Sequence, residues 1–156
     1  MENILYDQEK KSIKLIDFGV CRKFKKRGAL LDMLTITGTF YYRAPEMFLG
    51  GGYREGVDVW AAGVLLYKLV CGKTPFESEY HSETVKNILE KVLNFGPEFQ
   101  GYSTALRALV ARMLNRNPEE RVSACDCLKD VWFYPVLSRM KQKSCSYEDY
   151  EEDSCL

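Results

Sequence analysis

The stretch Val57-Asp58-Val59-Trp60-Ala61-Ala62-Gly63-Val64-Leu65-Leu66-Tyr67-Lys68-Leu69-Val70-Cys71 decides the fold. Apolar residues fall on every side of a helix drawn through 58–71, so no face is left for water and the helix must be enclosed by protein. It is shorter than the roughly 20 residues that span a bilayer and it contains Asp58 and Lys68. Gly50-Gly51-Gly52 breaks the chain before it, and Lys73-Thr74-Pro75 ends it.

Around this central helix the pattern predicts others. Val85, Ile88, Leu89, Val92 and Leu93 recur at helical spacing over 83–95, an amphipathic surface helix. Ser103 is an N-cap for a helix through Leu114, and Ser123 for a last one to about Asp130. Upstream, Ile4-Leu5-Tyr6 and Ile13-Lys14-Leu15-Ile16 are β-favouring runs on either side of a polar stretch, which predicts a small hairpin. Five of the six residues from Arg22 to Arg27 are Arg or Lys and read as a solvated loop. The expected fold is mainly α (α+β): one small β-hairpin and four to five helices around a buried central helix, over residues 1–140. From 141 to 156 five acids stand against two lysines, an acidic tail expected to be disordered.

With 156 residues, 46% apolar and 28% charged, the chain has the make-up of an ordinary globular domain. A formal net charge of zero argues against nucleic acid or membrane as its main partner. The N-terminal MENILYDQEKK lacks a signal-peptide pattern, so a cytoplasmic or nuclear location and reduced thiols are expected for the six cysteines. Cys125 and Cys127 lack a second ligand pair at zinc spacing. The lone His81, in a polar stretch, reads as a surface residue.

Asp17-Phe18-Gly19 directly follows the second strand, and Gly38-Thr39-Phe40-Tyr41-Tyr42-Arg43 leads into Ala44-Pro45-Glu46. Glu2-Asn3-Ile4-Leu5 precedes them; Asp58-Val59-Trp60-Ala61-Ala62-Gly63 and Asn117-Pro118-Glu119-Glu120-Arg121 follow. In this order the five motifs resemble the C-terminal lobe of a eukaryotic serine/threonine protein kinase, from the end of the catalytic loop through the activation segment to the late helices. The opening and the central helix look most like the calcium/calmodulin-dependent and AMP-activated types.

The resemblance implies ATP and Mg²⁺ as cofactors and protein substrates as partners, with the γ-phosphate passed to Ser/Thr hydroxyls. Asp17 matches the carboxylate that holds the metal and Asn3 the amide that assists; Mg²⁺ takes only one or two such oxygens from protein. Leu5 and Asp17 match nucleotide-binding positions, Leu5 in the apolar floor under adenine, with Leu65 and Leu69 supporting it. Thr39 matches the residue that organises the catalytic aspartate and the substrate hydroxyl. Thr35 matches an activating phosphosite for an upstream kinase, with Arg22 as a phosphate partner and Thr37 as a competing site. Glu46 and Arg121 match a buried ion pair, and Asp58 the central-helix carboxylate that accepts backbone N–H bonds from the catalytic loop; with most of that loop absent from this sequence, Asp58 is expected to be a buried acceptor without its donors. Phe40 and Arg43 depart from the family pattern, which usually has proline and a small or apolar residue there.

The Gly-rich loop, strand lysine, partner glutamate and His-Arg-Asp loop of the family cannot be placed in this sequence. Met1 stands where relatives continue upstream to the aspartate that accepts the hydroxyl proton. The expectation is therefore a piece of a longer kinase, lacking its N-lobe and inactive alone. The alternatives are a noncatalytic kinase-like binding or regulatory module, and a helical protein of unrelated function.

Overall fold

A computed structural model of the chain describes residues 3–137, except 24, 27, 28, 31 and 36. The expected acidic tail, the boundary at 140, and Met1 and Glu2 lie outside the described residues. Strand β1 (Ile4–Asp7) pairs antiparallel with β2 (Ser12–Leu15), Ile4 opposite Leu15 and Tyr6 opposite Ile13. This is the expected hairpin, but it packs little of itself away: Leu5, Tyr6, Ile13 and Leu15 are all exposed. Within the basic run a second pairing, which the sequence pattern does not announce, joins β3 (Lys25–Lys26) to β4 (Ala29–Leu30). A single antiparallel bridge then ties Met33 to Tyr53 through two backbone hydrogen bonds of 2.8 and 3.0 Å.

A 3₁₀ turn at Phe40–Tyr42 leads into the short α1 (Glu46–Leu49), which Gly50 ends at φ 77°. Helix α2 (Gly56–Cys71) is the predicted central helix; Trp60 and Val64 are wholly buried, and Gly72 closes it at φ 73°. Gly63 sets its distance from α4 (Thr104–Met113): a Cβ there would stand 2.9 Å from Met113 Cβ and 3.0 Å from Leu114 Cδ2. Only glycine permits this approach without repacking. Trp60 and Phe76 stack with ring centres 5.6 Å apart, and Leu106, Val110, Ile88 and Phe99 complete the core.

Helix α3 (His81–Glu90) stops well short of the expected 95. Lys91 turns extended, and Leu93 and Phe95 reach the core from the following loop, so their spacing reports burial rather than helix. Ser103 caps α4 by accepting from the Leu106 N–H at 3.2 Å, and Ser123 caps α5 (Ala124–Leu128) by accepting from the Asp126 N–H at 3.1 Å. Both serines satisfy amide donors that a helix start leaves unpaired. Cys21, Cys71 and Cys127 are free thiols. No helix among the described residues is long and apolar enough to cross a membrane.

Candidate active-site face and activation segment

The hairpin brings two of the candidate site residues to one end. The Ile16 N–H donates to the Asn3 carbonyl at 3.0 Å, which places Asn3 beside the strand that delivers Asp17. Asp17 is an exposed non-glycine residue at φ 62°, a left-handed conformation that costs energy for a residue with a Cβ. Its Oδ1 accepts the Gly19 N–H at 3.1 Å, which offsets part of that cost and fixes the carboxylate. The second carboxylate oxygen carries no hydrogen bond among the described residues.

Leu5 is exposed and borders a shallow depression of about 300 Å³ with Tyr6, Asp7, Lys10 and Ile13. Leu65 is half-buried and Leu69 exposed. Phe18 and Val20 are exposed as well, so the hairpin end and the segment after it present several uncovered apolar side chains.

The segment from 32 to 46 is pinned at both ends. Near its start, Thr35 gives its carbonyl to the Tyr53 hydroxyl, while Arg54 pairs with Asp32 at 2.7 Å on the surface. Arg22, Lys23, Thr35 and Thr37 line one open depression of about 280 Å³ with Asp32 and Tyr53. The structure thus brings Arg22 near the two candidate phosphate acceptors; its Nη1 donates to the Cys21 carbonyl at 3.2 Å.

At the far end, Arg121 is buried and makes four hydrogen bonds. Its Nη1 and Nη2 donate to the two carboxylate oxygens of Glu46 at 2.6 and 2.8 Å, Nη1 also to the Gly56 carbonyl, and Nε to the Asn115 carbonyl. Its guanidinium lies over the Trp60 ring, 5.2 Å from the centre. Five N–H donors in a planar fork suit this task as a lysine would not. One side chain therefore joins α1, α2 and the loop before α5.

Asp58 departs from the expected burial. It sits in the first turn of α2 as an exposed residue, and its carboxylate accepts no hydrogen bond among the described residues. Partial desolvation of its carboxyl, with Glu55 nearby second, raises its pKa. Thr39 is exposed in extended backbone between Gly38 and the 3₁₀ turn.

Two arginines matter that sequence reasoning passed over or left as departures. Arg116 donates through Nε to the Ile88 carbonyl at 2.7 Å and through Nη2 to the Asn87 and Lys91 carbonyls, closing the end of α3, with Phe76 under its guanidinium at 5.3 Å. Burial lowers its pKa. Arg43 folds back on its own segment, donating from Nε and Nη2 to the Gly38 carbonyl at 3.1 and 2.8 Å. A backbone carbonyl partner leaves no signature in sequence, so neither contact has a pattern that would disclose it.

Residues 1–133 match the family model described as protein kinase domain. The chain belongs to the protein kinase family. It is 37% identical to calcium-dependent protein kinase 31 of Arabidopsis thaliana over 155 residues, covering 90% of this chain and 31% of that protein. It is 35% identical to a rat SNF-related serine/threonine-protein kinase over 136 residues, covering 86% and 17%. With serine/threonine protein kinase ypkA of Aspergillus fumigatus the figures are 40% over 123 residues, 79% and 19%. The chain thus spans less than a third of the length of these relatives. The kinase resemblance read from the five motifs stands, as does the likeness to calcium-dependent and SNF-related serine/threonine types.

Proposed function

We propose that this chain is the C-lobe part of an ATP-dependent serine/threonine kinase, and that these 156 residues do not transfer phosphate by themselves. The observation that carries the reading is the hairpin end: the Asn3 carbonyl is bonded to the N–H of Ile16, the residue before Asp17, and Asp17 is held by Gly19 with its second carboxylate oxygen unbonded among the described residues. An amide oxygen and a carboxylate suit Mg²⁺, which prefers hard oxygen ligands and takes few from protein. When bound, Mg·ATP supplies the phosphoryl group and neutralises the charge that builds up in transfer.

The chain's own residues then have defined tasks. Asn3 and Asp17 would hold the metal. Leu5 offers apolar surface to adenine, with Leu65 and Leu69 as its supports in the whole kinase, which accounts for Leu5 and Leu69 being left facing solvent. Thr39 orients the acceptor hydroxyl of a protein substrate. Phosphate on Thr35, added by an upstream kinase, pairs with Arg22 across the depression they share.

The His-Arg-Asp motif that carries the family's proton acceptor cannot be placed in this sequence, whose one histidine, His81, is followed by Ser82 and Glu83. The test is to fuse the chain behind the N-terminal catalytic half, through His-Arg-Asp, of a calcium-dependent relative. ATP-dependent labelling of a serine peptide is expected from the fusion and not from the chain alone. A well-folded fusion that transfers nothing contradicts the C-lobe reading, and turnover by the isolated chain contradicts the missing-base reading.

A further inference from the structure

We propose that Tyr53 latches a gate over Thr35: its hydrogen bond must break before a modifying enzyme can take hold of the segment. The proposal rests on reading Thr35 as the acceptor of an activating phosphate.

Residues 32–35 are clasped along 52–54. Met33 and Tyr53 exchange two backbone hydrogen bonds, the Met33 N–H donating at 2.8 Å and the Tyr53 N–H at 3.0 Å. Gly52 lies so close that a Cβ there would stand 3.0 Å from Asp32 Cβ. Tyr53 is buried in the core, and its hydroxyl donates to the Thr35 carbonyl. Arg54 pairs with Asp32 at 2.7 Å, but their side chains are 44% and 52% exposed, and a pair so open to water holds little. The Tyr53 hydroxyl holds more, because its donor is anchored in the core.

The clasp ties down backbone and leaves side chains out. Thr35 is exposed and Leu34 is 78% exposed, while the main chain on either side of residue 34 is bonded. An enzyme that takes a chain segment into its cleft as an extended strand pairs with the segment's own N–H and C=O groups. Met33 and Thr35 offer theirs only once the clasp opens. Such local opening requires less than unfolding of the domain, and attack follows the population of the open form. Thr35 contributes its carbonyl and not its side chain, so a phosphate added there leaves the latch able to close again, beside Arg22 and Lys23.

Chymotrypsin serves as the probe, because it too must take the backbone around Leu34 as a strand. Nicking of the 156-residue chain after Leu34 is read by mass spectrometry against nicking after Tyr102, an exposed site in the turn before α4. Tyr53→Phe, which removes one hydroxyl, should raise the ratio about five- to tenfold. Thr35→Val, which keeps the carbonyl, and Arg54→Ala should leave it within about twofold. An unchanged ratio in Tyr53→Phe overturns the proposal, whether nicking stays constant or rises equally at both sites. A rise in Thr35→Val equal to that in Tyr53→Phe overturns it too. Should Tyr53→Phe fail to fold, amide exchange of the wild type decides. The Met33 and Tyr53 amides should exchange together, more slowly than in an unstructured peptide of the same sequence; exchange at the unstructured rate overturns the gate. These measurements use no phosphate, so their failure leaves the reading of Thr35 standing. That reading fails separately, if the chain purified from the cells that make it never carries phosphate on Thr35.

Discussion

Arg121 holds both carboxylate oxygens of Glu46, 75 positions away in sequence, with its guanidinium stacked on Trp60. This contact fastens the start of α1 to the central and late helices, and the Arg121 side chain is about 1% exposed. Glu46→Gln or Arg121→Met leaves one buried charge without its partner, a loss of about 3–5 kcal/mol. Urea denaturation should show a clear fall in midpoint for either variant. A change within experimental error would mean that the pair is not buried in solution.

Gly63 makes a separate prediction about packing. Alanine there forces α2 and α4 apart against Met113 and Leu114, at a cost of about 1–3 kcal/mol. Gly51→Ala serves as a control, because a Cβ at Gly51 meets nothing within 4 Å and Gly51 is not among the positive-φ glycines. Thermal unfolding should be lowered in the first variant and nearly unchanged in the second.

Arg116→Ala should loosen the end of α3. The carbonyls of Asn87, Ile88 and Lys91 lose the arginine together, and Asn87 keeps only the Lys91 N–H. Hydrogen bonds from a charged group are worth about 1.5–3 kcal/mol. Amide hydrogen exchange over α3 should accelerate more than over α4, and uniform exchange changes in both helices would contradict a local capping role.

Tyr67 gives the chain an alkaline limit. Its hydroxyl donates to the Asn94 carbonyl at 2.8 Å, and burial, followed by Cys71, pushes its pKa from 10.0 up to about 12. The folded state thus keeps a proton that the unfolded chain gives up first. The resulting stability is whole below pH 10.0 and drains away as pH rises towards about 12. Tyr67→Phe should remove that part of the alkaline slope, read as unfolding midpoints across this range; an unaltered slope would refute it.

How much of this was legible in the sequence varied with the kind of force involved. Continuous apolar residues made α2 plain, and Ser103 and Ser123 marked two helix starts, because burial and capping act over neighbouring positions. Leu93 misled: it is apolar at helical spacing, yet it reaches the core from a loop after Arg116 has closed α3. Glu46 and Arg121 could be paired only through family resemblance, since nothing local links residues so far apart. Asp58 was expected to be buried and is exposed. Arg43 and Arg116 bind backbone oxygens, which every residue carries, so their roles became visible only in three dimensions.

The central claim is that this chain supplies the metal-holding carboxylate and activation segment of a serine/threonine kinase. Phosphate transfer from ATP to a serine peptide, measured on the fusion with a relative's N-terminal half, tests it most directly when Asp17→Asn is compared with Asp7→Asn. Asp7 is an exposed carboxylate on the same hairpin, with Oδ1 accepting the Lys10 N–H. The account predicts that Asp17→Asn reduces transfer by about a hundredfold or more, as removal of a group acting on the transferring phosphate does, with unfolding temperature preserved. It predicts that Asp7→Asn stays near wild type. Equal activity of the Asp17 variant and the parent would contradict it.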